Sequence, residues 1–212
     1  MKTAIIGLGS IGSRVAANLA AGNQNIIISQ RDLAKAAECA RKLDSNAEVM
    51  PIDEAVKAAD IIILAVWFDA IKDFIGTHRK DLASKIIVDP SNPIAPDGKG
   101  GFKKTIAADQ STGAIIADLL PSEVRLVKAF GTLSAESLGK NANRTPERAV
   151  LFYATDDPKA GQAVAKLIET SGFSPVSIGG IDQSIRIEVG GHLHEFGKLG
   201  RLVTASEAEA LL

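Results

Sequence analysis

Three glycines, Gly7, Gly9 and Gly12, stand between an apolar tetrapeptide, Thr3–Ile6, and a stretch carrying Ile11, Val15 and Leu19 at four-residue spacing. This reads as strand, turn and helix, the setting in which a Gly-x-Gly-x-x-Gly spacing has mechanical meaning. Gly7 permits a tight turn, Gly9 lets the backbone approach a pyrophosphate, and Gly12 lets the helix pack on the strand. The stretch Gly7, Leu8, Gly9, Ser10, Ile11 and Gly12 is thus a candidate phosphate cradle. The free N–H groups and the positive end of the helix dipole would face the ligand.

The next apolar run, ending IIIS at Ser29, is followed by Gln30 and Arg31. About 20 residues past such a turn, an Asp or Glu usually holds the free 2′-hydroxyl of NAD. Here the chain offers a hydroxyl, an amide and a guanidinium instead. Arg31 can pair with a phosphate on the 2′-oxygen, and Ser29 and Gln30 can donate hydrogen bonds to it. Lys35 adds charge one helical turn further on. This set points to NADP(H). The competing reading is a solvated Arg31–Asp32 pair at a helix start, with Asp32 reading a 2′-hydroxyl if the turn slips by one residue.

Further candidates lie where later strands end. Ala65, Val66 and Trp67 follow the most apolar strand and would flank the ribose and nicotinamide, with Trp67 either packing or touching ligand. Ser91, Asn92 and Pro93 form a turn stiffened by Pro90 and Pro93. Ala129 and Gly131 lie in Lys128–Leu133, where Gly131 would leave room beside a flat ring. His192, His194 and Glu195 admit a metal reading on a strand, but no further protein ligand is evident, and a turn touching substrate or a second subunit is the plainer reading. We therefore expect no metal and no catalytic acid–base residue.

The elements that must position these groups alternate along the chain. Strand patterns occur at Thr3–Ile6, Asn25–Ser29, Glu48–Met50, Asp60–Ala65, Lys85–Asp89, Arg125–Ala129, Ala149–Ala154 and Ser174–Ser177. Helical patterns intervene, one with Leu33, Ala36, Ala37, Ala40 and Leu43 on one face behind an Asp32 cap, another opened by Asp157-Pro158 and ended before Gly172. Thr204-Ala205-Ser206-Glu207 has the capping-box spacing of a short final helix. The alternation predicts an α/β fold, a Rossmann-type doubly wound, mostly parallel sheet in a single domain with a small C-terminal extension. Residues 1–180 would be the dinucleotide-binding domain. Residues 181–212 would complete an acceptor site or a dimer contact. Residues 93–112 show little periodicity and read as a long loop leaving the ligand-binding edge of the sheet.

Bulk composition narrows the classes. The 212 residues carry 25 acids against 24 Lys plus Arg, a net charge of −1, which argues against nucleic acid as a partner. The longest apolar run, Ile61 to Phe68, is too short to span a bilayer, so no membrane partner is expected. With Cys39 alone there is no intrachain disulfide, and the simplest location is the cytoplasm. Cys39 reads as a small buried apolar residue.

Gly7–Gly12, Ser29-Gln30-Arg31, the Ser91-Asn92-Pro93 turn and Lys128–Leu133 together resemble the NADP oxidoreductases dependent on coenzyme factor 420, a deazaflavin. The resemblance covers nearly the whole chain, and related reductase domains occur in pyrroline-carboxylate reductases and membrane metalloreductases. It implies NADP(H) along the carboxyl edge of the sheet, a deazaflavin stacked on the nicotinamide for direct hydride transfer, and a homodimer. Relatives usually carry Asn where Gly131 stands. The expected function is NADP(H)-dependent hydride transfer to a small-molecule planar redox acceptor, deazaflavin or flavin-like. The alternatives are an NADPH-dependent reductase of an imine or keto compound, which usually needs a large helical substrate domain, and a non-enzymatic NADP-sensing module.

Overall fold

In the computed structural model, which describes residues 1–43, 46–98 and 102–212, the apolar runs become parallel strands whose side chains alternate between two cores. The central sheet has six strands in the order β3-β2-β1-β4-β5-β8. They are β1 (Thr3–Ile6), β2 (Ile26–Ser29), β3 (Ala47–Val49), β4 (Ile61–Leu64), β5 (Ile86–Asp89) and β8 (Arg125–Lys128). All five pairings are parallel. Each strand of this sheet after β1 follows a helix that returns the chain across a sheet face, as parallel pairing requires.

Ile5, Ile28, Ile63, Val88 and Val127 point to one face and pack on α1 (Ser10–Ala21), α6 (Ala135–Lys140) and α7 (Pro158–Thr170). Ala4, Ile6, Ile27, Ile62, Leu64 and Ile87 point to the other and pack on α3 (Ile52–Ala58), α4 (Phe68–His78) and α5 (Thr112–Leu119). Strands apolar on both faces are what a sheet covered on both sides demands. The doubly wound expectation holds. Helix α2 (Leu33–Ala40) is weaker than its pattern suggested: only Ala36 is buried within it, and Leu33 is exposed.

Two expectations need correction. The last two strands, β9 (Val150–Tyr153) and β10 (Ser174–Ser177), pair with each other in a separate parallel ribbon and do not widen the main sheet. A single antiparallel bridge, Lys128 to Ala154, ties that ribbon to β8. Residues 93–112 are not structureless: β6 (Ile94–Pro96) and β7 (Phe102–Lys104) form an antiparallel hairpin, with residues 99–101 of that stretch outside the described residues. Exposed three-residue strands carry too little alternation to be read from sequence.

The segment beyond β10 is not an appendage. A 3-10 turn (Ile181–Arg186) leads into Ile187, Leu193 and Val203, which with Ala208 of α8 (Ala205–Glu209) cover the outer face of β9. The capping box at Thr204 is formed, with Glu207 closing it. Among the described residues, no helix is long and apolar enough to cross a membrane. Cys39 is only partly buried, and that burial pushes its thiol pKa up.

Candidate active site

The glycine turn joins β1 to α1 where the strand order reverses, the switch point at which open α/β sheets bind ligands. Each glycine has a distinct job. Gly7 has φ +94°, and a Cβ there would lie 2.5 Å from Ala65 O and 2.6 Å from Val66 Cγ1. A Cβ on Gly12 would sit 2.0 Å from Gly7 O and 2.9 Å from Ala65 Cβ, so helix and strand touch there. Around Gly9 nothing lies within 4 Å of a built Cβ. Its missing side chain is open space. Gly9 caps α1 with no side-chain bond, and no acid stands in the first turn, so the helix presents bare N–H groups and an uncompensated positive end. Leu8 and Ile11 turn their side chains toward the core, leaving only backbone to a ligand, while Ser10 is exposed.

Arg31, beyond the end of β2, is exposed and has no ion-pair or hydrogen-bond partner among the described residues. Asp32 is committed elsewhere. Its Oδ1 accepts from the N–H groups of Ala34 (3.1 Å) and Lys35 (3.2 Å), capping α2, and Oδ2 lies 3.6 Å from Lys35 Nζ. The alternative in which Asp32 reads a 2′-hydroxyl loses its carboxylate to that helix cap. Gln30 is half-buried at the mouth of the groove. Ser29 is not available as expected. It is fully buried, and its hydroxyl donates to Met50 O at 2.7 Å, so it cannot donate to a phosphate.

The far half of the edge, beyond β4, divides likewise. Ala65 and Val66 are partly exposed, and Trp67 is 61% exposed, so the packing reading of Trp67 fails. By contrast, Ser91, Pro93, Ala129 and Gly131 are buried. Asn92 spends its amide on two backbones, donating to Gly131 O at 2.9 Å and accepting from Val189 N at 2.7 Å. Gly131 does not leave room for a ring: a Cβ there would lie 2.7 Å from Pro90 O. It is glycine because two loops cross. The Ser91 hydroxyl is buried with no partner among the described residues.

His194 holds the same loop. Phe196 N–H donates to His194 Nδ1 at 2.9 Å, so Nδ1 is unprotonated and Nε2 carries the hydrogen that reaches Gly131 O at 3.0 Å. Burial pushes its pKa down, more than the Gly131 carbonyl and Glu195 raise it. His192 accepts from Arg186 Nε at 3.1 Å, and its pKa is also lowered, first by desolvation and then by the Arg186 charge. The two histidines serve different partners on turns, not on a strand. Among the described residues, no three His, Cys, Asp or Glu side chains gather to hold a metal.

Beneath this edge lies a cluster that the sequence did not announce. Lys128 Nζ donates to Asp89 Oδ2 (2.6 Å), Ser91 O (2.5 Å) and Thr112 Oγ1 (2.7 Å), using all three of its hydrogens. Thr112 Oγ1 passes its own hydrogen to Glu188 Oε1 at 2.7 Å. Glu188 also accepts from the N–H groups of Thr112 (3.1 Å) and Gly113 (3.0 Å), the open start of α5. The cluster is sealed from solvent, with Lys128, Asp89 and Glu188 side chains at most 2% exposed. It offers no proton to a ligand. It welds β5, β8, α5 and the C-terminal segment into one wall.

Along this edge Arg31, Gly9 and Trp67 are exposed, while Ser91, Pro93 and Gly131 beyond them are buried in the welded wall. Residues 2–93, which contain the open part, match the family model described as NADP oxidoreductase coenzyme F420-dependent. An F420-dependent NADP reductase from Methanothermobacter thermautotrophicus is 27% identical over 199 residues, covering 89% of this chain and 85% of that protein. The crystal structure of a hypothetical protein, SMa0349, from Sinorhizobium meliloti superposes with a TM-score of 0.84 at 29% identity, over 96% of this chain and 95% of that one. A structure from Arthrobacter sp. FB24 gives 0.72 at 24% identity over 87% of each chain, a likeness that shows the fold. The resemblance read from the sequence motifs is borne out.

Proposed function

We propose that this chain, whose residues 2–93 match the deazaflavin-linked NADP oxidoreductases, transfers hydride between NADP(H) and a planar redox acceptor, deazaflavin or flavin-like. The observation that carries the reading is the empty Cβ position at Gly9, facing the uncapped α1 N-terminus, with unpartnered Arg31 on one side and exposed Trp67 on the other. Gly9 and the amides of Ser10 and Ile11 would bind the pyrophosphate, with Gly7 supplying only the turn, since its own N–H goes to Ser29 O. Arg31, with Lys35 and Gln30, would bind the 2′-phosphate. Ala65 and Val66 would border the nicotinamide ribose.

Bound NADPH supplies the hydride. The protein's part is positioning, because the reduced acceptor ring takes its balancing proton from solvent and requires no acid from the chain. That agrees with His194 being sealed and neutral and with Lys128, Asp89 and Glu188 being mutually satisfied. We also propose a homodimer, with Phe196, Leu211 and Leu212, exposed at 66%, 37% and 56%, as its contact. Leu199 and Leu202 of the same segment pack partly against their own chain. Light scattering at micromolar concentration should give twice the monomer mass, and a monomer would remove the dimer.

The decisive test of function mixes the protein anaerobically with NADPH and, separately, a deazaflavin, flavins, quinones and ferric chelates. NADPH oxidation should be fastest with a planar ring acceptor, the deazaflavin first. Oxidation by none of the ring acceptors overturns the reading.

A further inference from the structure

Trp67 is the only tryptophan in the chain, and it sits where folding gains little from it. It is the N-cap of α4 but makes no side-chain capping bond, whereas Asp32, Ser111, Ser134, Asp157 and Thr204 cap their helices. A small polar residue is the favoured occupant of that position. The indole does not serve the core either, being 61% exposed. Its neighbour Phe68 meets that need, buried in the second core with Lys72 Nζ 4.4 Å from its ring centroid.

Its place relative to the groove is fixed by two contacts. Ala65 O and Val66 Cγ1 fill the space beside Gly7, so the strip that ends in Trp67 forms one wall of the glycine turn. In the strand order, β2 with Arg31 lies on one side of β1, and β4 with Trp67 lies on the other. A dinucleotide whose phosphates sit at the β1 turn and whose 2′-phosphate meets Arg31 must extend its nicotinamide toward Trp67. Beyond Trp67 the wall is closed by buried Ser91, Pro93 and Gly131.

We propose that the Trp67 indole is the face on which the acceptor's ring stacks as it meets the nicotinamide, which makes it a specificity-determining residue for planar heteroaromatic acceptors. This rests on the hydride-transfer reading above. A flat, exposed π-surface stacks on any planar heteroaromatic ring, whereas an isolated carbonyl or imine presents no face of that size to stack.

The test uses the full chain and 5-deazariboflavin as the probe, with affinity read by calorimetry in the presence of saturating NADP⁺. Trp67→Leu should weaken the probe about tenfold or more, as expected for loss of a stacking partner. Trp67→Phe should restore most of that loss. NADP⁺ affinity, measured alone, should stay within about twofold in both variants. Unchanged probe affinity in Trp67→Leu overturns the assignment and leaves the function standing, and so does a loss confined to NADP⁺, which would make the indole a cofactor wall. A wild-type protein that binds NADP⁺ but has no affinity for the probe overturns the acceptor reading and this assignment together.

Discussion

Lys128 Nζ lies 2.6 Å from Asp89 Oδ2 across two neighbouring parallel strands, with 2% and 0% of the two side chains exposed. Glu188, 3.6 Å from the same ammonium, adds a second buried carboxylate. One cation therefore answers for two anions in a space closed to bulk solvent, and every hydrogen on Nζ is in use. Removing it would strand both charges. Lys128→Met should lower unfolding free energy in urea by about 3–5 kcal/mol. Adding Glu188→Gln to that variant should recover part of the loss, because one of the stranded charges is then gone. A single variant within 1 kcal/mol of wild type would show that the cluster is not the weld described.

Arg31 and Asp32 are adjacent, yet only Asp32 is tied to the fold. Arg31→Ala should thus leave stability unchanged and weaken NADPH about tenfold or more, the loss of a charge-assisted contact on the order of 1.5–3 kcal/mol. NADH, lacking the 2′-phosphate, should be spared. Calorimetry with both cofactors decides the matter. Equal losses would mean that the guanidinium acts on something common to the two.

Gly9 and Gly12 belong to one motif but should fail differently. Gly9→Val places its Cβ in open space, so the thermal midpoint should stay near wild type while NADPH binding is lost. Gly12→Val drives a side chain into Gly7 O and Ala65, and should cost at least about 1–3 kcal/mol of stability. Finding Gly9→Val able to bind NADPH normally would move the pyrophosphate elsewhere.

His194 supplies a pH dependence with a definite sign. Its folded pKa is depressed, chiefly by burial, so below about pH 6.5, where an unfolded histidine protonates, the unfolded chain binds the extra proton. The stability from neutral His194 is fully present above that pH and is lost as pH falls through the folded value. Urea unfolding measured across this range should show wild type losing stability faster on acidification than His194→Gln, which cannot titrate. Parallel profiles would place the titrating group elsewhere.

The order of elements was legible because it is local. A buried parallel strand must be apolar on both faces, and Thr3–Ile6, Ile26–Ser29 and Ile61–Leu64 announce themselves by that alone. The glycine turn was legible for the same reason: spacing within six residues dictates what backbone geometry can follow. Arg31 needed only its distance from that turn. The hairpin β6-β7 escaped because its short exposed strands carry no periodic signal.

What tertiary structure decided was which polar groups remain free. Ser29 and Arg31 are two residues apart, yet one is spent on Met50 and the other open, because Ser29 closes a buried strand beside the chain at Met50 whereas Arg31 lies past the strand's end, exposed. Asp89 and Lys128 are 39 residues apart, and Thr112 and Glu188 are 76 apart. They meet only because β5 and β8 pair across an intervening hairpin and helix, and because the C-terminal segment folds back to place its carboxylate on α5. The sequence by itself determined a dinucleotide-type fold and put Arg31, not an acid, just past the end of its second strand. Long-range pairing decided that Asn92, Gly131 and His194 build the wall and that Trp67 is left exposed, since exposure is a property of the packed whole and not of any residue's own type.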